Sequence, residues 1–128
     1  MRGAARGRGR GEGEGKGAPP RWLGVARELL RERCGEEVTV GEVARACGVH
    51  PVHLARAFRR HFGASPGAYL RRCRLERAAA RLRDARESLG EVALRSGFAD
   101  QSHLTTAFRR AHGVTPAEYR RLLGRPEV

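Results

Sequence analysis

From residue 21 onward, apolar side chains return every three or four positions, the period of an amphipathic helix. Trp22, Val25, Ala26, Leu29 and Leu30 predict a first helix ending near Cys34-Gly35. Thr39-Val40-Gly41-Glu42 is a capping box, in which the Thr hydroxyl takes an N3 amide and the Glu returns to the N-cap amide. It opens a short helix, Glu42 to Cys47, that stops at Gly48. His50-Pro51 restarts the chain with proline at the first helical position, and that helix runs to about Phe62-Gly63. Ser65-Pro66 opens the longest helix, to about Arg83, with Leu70, Cys73 or Arg74, Leu75, Ala78, Ala79 and Leu82 as its buried stripe. After a polar break at 84–87, Ser88-Leu89-Gly90-Glu91 forms a second box whose helix stops at Gly97. Asp100 caps a helix through about His112, and Thr115-Pro116-Ala117-Glu118 opens a last one through Leu123. Outside these segments no alternating apolar run exceeds four residues, which argues against strands. The expected class is all-α with about seven helices.

The pattern repeats. Gly41-Glu42-Val43-Ala44 matches Gly90-Glu91-Val92-Ala93 at an offset of 49, and Gly48 matches Gly97. Beyond the turn the offset becomes 50, pairing His53-Leu54 with His103-Leu104 and Ala57-Phe58-Arg59-Arg60 with Ala107-Phe108-Arg109-Arg110. The one-residue slip falls in the tight turn, where an insertion does least harm. Short helix, glycine turn and longer helix make a helix-turn-helix unit. The chain therefore divides into a tail (1–20) and a homeodomain-like domain (21–124). Within the domain lie unit 1 (about 39–63), a connector helix (about 66–83), unit 2 (about 88–112) and a final helix (116–123). A plain stacking repeat is the bland alternative, but two copies are few for a solenoid and stacking needs no arginine-rich face.

Charge turns this architecture toward a polyanion. The formal net charge is +12, from 26 Lys+Arg against 14 Asp+Glu, and Lys16 is the only lysine. Arginine suits phosphate and guanine because its planar fork donates two parallel hydrogen bonds. Residues 1–20 hold five basic and two acidic side chains, so +9 remains on the rest. Glycines at alternate positions leave that tail little to bury, and disorder is expected. Its glycine spacing excludes GxGxxG, and Gly15-Lys16 lacks the surroundings of a phosphate loop. An arginine-glycine arm adding nonspecific nucleic-acid affinity is one reading of it, a passive tail the other.

At 100° per residue, Leu54, Ala57 and Phe58 face inward, leaving Val52, Arg56 and Arg59 outside with Ala55 and Arg60 flanking. In unit 2, Leu104, Ala107 and Phe108 face inward and Ser102, Thr106 and Arg109 outward, with Gln101 exposed on the first turn. The N-terminal end of a recognition helix reaches base edges and later positions drift to the backbone. The base-facing candidates are therefore Val52, Ala55, Arg56, Gln101, Ser102 and Thr106. Arg56 suits guanine, Gln101 adenine, and Val52 or Ala55 a thymine methyl. Arg59, Arg60, Arg109 and Arg110 are the phosphate candidates, although charge runs are often only a solvated face. A connector of roughly 27 Å could hold the two helices about one DNA turn (~34 Å) apart.

The stretch GFADQSHLTTAFRRAHGVTPAEYR (97–120) resembles the C-terminal signature of the AraC/XylS family of bacterial transcription regulators. VGEVARACGVHPVHLARAFRRHFGASPGAYL and RLERAAARL extend the likeness over residues 38–121. The resemblance implies seven helices, two helix-turn-helix units on a long helix, and promoter binding that activates or represses transcription. It implies double-stranded DNA as partner, with RNA polymerase a candidate, in the bacterial cytoplasm at the nucleoid. Thr106 stands where the family often has Arg, and Leu104 where it has Phe. His50 replaces a Ser-like cap, a change expected to weaken that cap by ~1 kcal/mol. Relatives often carry a separate effector-binding domain, for which about twenty residues before the first helix leave no room. A stand-alone binder or a fragment of a longer regulator is expected.

Other chemistries find little support. His50, His53, His61, His103 and His112 have no metal spacing, and Ser88 and Ser102 lack a GxSxG. Cys34, Cys47 and Cys73 are odd in number and outside any CxxC, so each is expected to fill a small apolar gap. No enzyme, metal or cofactor is expected. Nor is a membrane span or secretory signal, because no run of 18 apolar residues occurs.

Overall fold

The computed structural model describes residues 17–124 as seven α-helices, with no strand among them. These are α1 (Arg21–Arg33), α2 (Val40–Ala46), α3 (Pro51–Phe62), α4 (Pro66–Arg81), α5 (Leu89–Arg95), α6 (Gln101–His112) and α7 (Pro116–Leu123). The tail reading of residues 1–16 lies outside the described residues. All three capping boxes form, at Thr39/Glu42, Ser88/Glu91 and Thr115/Glu118, and each satisfies two amides at a helix start.

Two separate cores share one helix. The first gathers Leu23, Ala26 and Leu30 of α1, Val43 and Ala44 of α2, Leu54 and Phe58 of α3, and Tyr69, Leu70 and Cys73 of α4. The second gathers Leu75, Ala78 and Leu82 from further along α4 with Val92, Ala93, Phe98, Leu104 and Phe108. The N-terminal half of α4 thus stands to α3 as α7 stands to α6, while its C-terminal half serves unit 2 as α1 serves unit 1. Ring contacts repeat accordingly: Phe58 meets Tyr69 at 5.4 Å between centroids, and Phe108 meets Tyr119 at 5.2 Å.

Three details differ from the sequence expectation. Val25 is 48 % exposed and Leu23 is buried in its place. Positions 23, 26 and 30 lie on one side of the helix, and Val25 is turned about 200° away from Leu23. Helix α4 ends at Arg81, with Leu82 as its C-cap, two residues earlier than expected. The 84–87 break is not only polar filler. The Glu87 carboxylate, its side chain 12 % exposed, accepts from Arg81 Nε and Nη2 at 2.9 Å each and from Arg95 Nη1 at 3.3 Å. A bidentate pair held this far from water fixes α5 against the end of α4.

Candidate nucleic-acid interface

Each recognition helix is anchored on its inner face and capped at the end that would meet a base. Leu54 and Phe58 of α3, and Leu104 and Phe108 of α6, are fully buried. Burying such a side chain contributes about 1.5–3 kcal/mol, which holds the outer face in a defined orientation. At the start of α6 the Asp100 carboxylate accepts the His103 amide at 2.8 Å. At the start of α3 the His50 Nδ1 accepts the Val52 amide at 3.1 Å, with Pro51 removing a donor that would otherwise need a partner. The weaker cap expected there is met by the imidazole itself. His53 and His103, equivalent in the repeat, each lie against a ring: Trp22 at 5.2 Å and Phe98 at 6.1 Å.

The outer faces carry the candidates. Val52 (53 % exposed), Arg56, Arg59 and Arg60 stand on the surface of α3, while Ala55 is half-buried beside them. On α6, Gln101, Ser102, Thr106, Arg109 and Arg110 are exposed. Gln101, Ser102 and Thr106 line a shallow open concavity of about 340 Å³ together with Thr105, a half-buried residue that the sequence reading passed over. Its repeat counterpart Ala55, half-buried in the same way, is among the unit 1 candidates. In their first two turns α3 thus presents methyl and guanidinium groups and α6 hydroxyl and amide groups, with exposed arginines following on both. Among the described residues no group of three or more His, Cys, Asp or Glu could hold a metal. No helix among them is long and apolar enough to cross a membrane.

Two further arginines hold the frame; the sequence offered Arg74 only as an alternative to Cys73 in the buried stripe and did not single out Arg120. Arg74 donates from Nε to the Cys34 carbonyl (2.8 Å) and from Nη2 to those of Glu36 (2.9 Å) and Val38 (3.2 Å). Burial draws its guanidinium below the ordinary arginine value, yet three carbonyl oxygens face its donors. Arg120 does the same in unit 2, donating to Leu82 (3.0 Å) and Asp84 (3.1 Å). Each grips carbonyls just past the C-terminal end of the helix that precedes its unit, α1 for Arg74 and α4 for Arg120, where orphan carbonyls collect. Spacing does not reveal them, because the two residues are not equivalent in the repeat.

A family model described as a helix-turn-helix domain matches residues 43–122. The chain is similar to the C-terminal domain of AraT, a response regulator from Geobacillus stearothermophilus, at 31% identity and a TM-score of 0.77. That match covers 81% of this chain and 87% of the other. It is also similar to the DNA-binding domain of AdpA, described as a global transcriptional factor and solved in complex with a target DNA. There the identity is 30% and the TM-score 0.74, over 78% of this chain and 90% of that one. The transcriptional regulator CdpR from Pseudomonas aeruginosa is 31% identical with a TM-score of 0.69, over 78% of this chain and 31% of its own length. With two helix-turn-helix units on one connector, a basic outer face and these relatives, the chain belongs to the AraC-type helix-turn-helix family, whose fold is that of DNA-binding transcription regulators rather than enzymes.

Proposed function

We propose that this chain binds specific sequences of double-stranded DNA at bacterial promoters and so regulates transcription, placing α3 and α6 in two major grooves. The observation that carries the reading is the paired exposure of two capped helices, each anchored by a buried Leu and Phe and each basic beyond its second turn. Helix α4, 16 residues or about 24 Å long, joins the two units that carry them, the connection a reader of successive grooves on one face of the duplex needs. That the AdpA domain is solved on a target DNA supports the same partner here. Val52, Ala55 and Arg56 read bases from unit 1, with Arg56 donating to guanine O6 and N7. Gln101, Ser102 and Thr106 read from unit 2. Arg59, Arg60, Arg109 and Arg110 neutralise phosphates and set register. Such a regulator works in the bacterial cytoplasm, at the nucleoid, with RNA polymerase as the partner through which promoter occupancy is felt.

Selection of random duplexes on the purified chain tests this. We expect enrichment of a two-part site with a specificity ratio on the order of 10³ or more over random DNA at physiological salt. Arg56→Ala should then relax base choice at one position of one half-site, at a cost of about 1–3 kcal/mol. Arg109→Ala should weaken all sequences alike and lower the salt slope by about 1. Equal affinity of the wild-type chain for every duplex refutes the proposal.

A further inference from the structure

The α1–α2 turn and the α5–α6 turn touch across the boundary between the two units, and they do so through reciprocal glycines. A Cβ placed on Gly97 would fall inside the contact distance of the Cys34 carbonyl oxygen and 2.5 Å from Arg74 Nε. A Cβ placed on Gly35 would lie 2.6 Å from Arg77 Nε and 3.1 Å from the Arg95 carbonyl oxygen. Each turn thus sets a glycine against a backbone carbonyl at or beside the other; the fit at Gly97 admits no side chain, and that at Gly35 is tight. Arg74 and Arg77 of α4 flank the joint. Arg74 grips the same Cys34 carbonyl that faces Gly97, and also holds Glu36 and Val38. The arrangement is particular to this place: Gly48, the repeat counterpart of Gly97, also has a positive φ (72° against 96°) but open space around its Cβ position.

We infer that this glycine joint, locked by Arg74, fixes the phase between α3 and α6 and so selects the spacing of the DNA half-sites, without touching DNA. The inference rests on the two-groove reading above. A single connector helix leaves rotation of one unit about its axis opposed only by local packing. The joint adds a second point of attachment off that axis, and two attachments define an orientation where one does not. One extra base pair between half-sites moves them apart by about 3.4 Å and rotates one by about 34°. A rigid pair of readers meets that change as lost contacts in one half-site. A pair freed to swing follows it.

The test measures binding of the full chain to a set of duplexes carrying the selected half-sites with zero, one, two or five extra base pairs between them. The wild-type chain should lose about tenfold in affinity for the first insertion and more for the next, a loss comparable to a mismatched base pair. Gly97→Ala and Arg74→Met should flatten or shift that profile, to a loss of about threefold or less at one insertion, while single half-site base preference persists. Gly48→Ala imposes a similar backbone strain away from the joint, so it should lower stability yet keep the wild-type spacing profile. Circular dichroism confirms that each variant is helical, and Arg74→Met carries the test if Gly97→Ala does not fold. A helical Gly97→Ala or Arg74→Met protein with the wild-type profile overturns the inference. A wild-type chain with no base preference overturns the function reading instead, so the two failures are distinguishable.

Discussion

In unit 1 the glycine of the turn between the two helices has open space where a Cβ would go; in unit 2 the same glycine is pressed against the α1–α2 turn. Gly48 and Gly97 occupy one position of the repeat and both need a positive φ, but only Gly97 has a backbone oxygen where a Cβ would go. Just before them, Cys47 and Ser96 are also equivalent. Cys47 Sγ donates to the Trp22 carbonyl of α1 at 3.7 Å, and burial pushes its thiol pKa up. Ser96 is fully buried and its hydroxyl meets no hydrogen-bond partner. The duplicated backbone has therefore acquired two different mechanical roles. Unit 1 closes upon its own extra helix, α1. Unit 2 closes upon the connector and the α1–α2 turn.

The strongest test of that division is to damage each core in turn. Phe58→Ala and Phe108→Ala should each cost about 3–5 kcal/mol, the usual range for emptying a buried aromatic site. If the cores are separate, hydrogen exchange should rise first in α2 and α3 for Phe58→Ala and first in α5 to α7 for Phe108→Ala. Uniform loss of protection in both variants would show one cooperative core and break the comparison.

A smaller effect of opposite sign tests the turns. Leaving a buried hydroxyl without a partner costs about 1–3 kcal/mol. Ser96→Ala should therefore stabilise the chain by about 1 kcal/mol, raising Tm by roughly 4–8 °C for a domain of this size. Cys47→Ala should destabilise, because Cys47 packs against the first core. A Tm that falls with Ser96→Ala would mean the hydroxyl is satisfied by a group outside the protein.

What the sequence made legible, and what it did not, follows one boundary. Helix starts were readable because capping is local: Thr39, Ser88 and Thr115 each find their Glu three residues on. The buried Leu54, Phe58, Leu104 and Phe108 were readable because helical period sets their direction. The contacts of Arg74, Arg77, Arg120 and Gly35 were not, since each acts on residues far away in the chain, and the Glu87 ion pairs, six and eight positions apart, were not because they fall outside any helical period. Arg74 reaches 36 to 40 positions back, and Arg120 reaches 36 to 38. Nothing in the composition of α4 distinguishes an arginine that points to solvent from one that grips a carbonyl. Val25 failed differently, because a stripe can be drawn through either of two neighbouring sets of apolar residues in a helix that carries both.

The smallest expected effect concerns the helix starts themselves. Unit 2 is opened and followed by capping boxes, at α5 and α7, and both carboxylates are held below the usual glutamate range. Hydrogen bonding from the Ser88 amide is the main cause for Glu91, and from the Thr115 amide for Glu118. A lowered folded-state pKa means the charged form stabilises the fold. That contribution is complete above the ordinary glutamate value of about 4.3 and disappears as pH falls through the depressed folded values. Both groups are exposed, so water and salt screen the effect and it should be slight. Glu91→Gln and Glu118→Gln keep an acceptor for the cap amide but remove the titration. Between pH 6 and 3 their Tm should fall less steeply than that of the wild-type chain, the double variant least of all. Parallel curves would mean that the amide hydrogen bonds, and not the charges they stabilise, are what open α5 and α7.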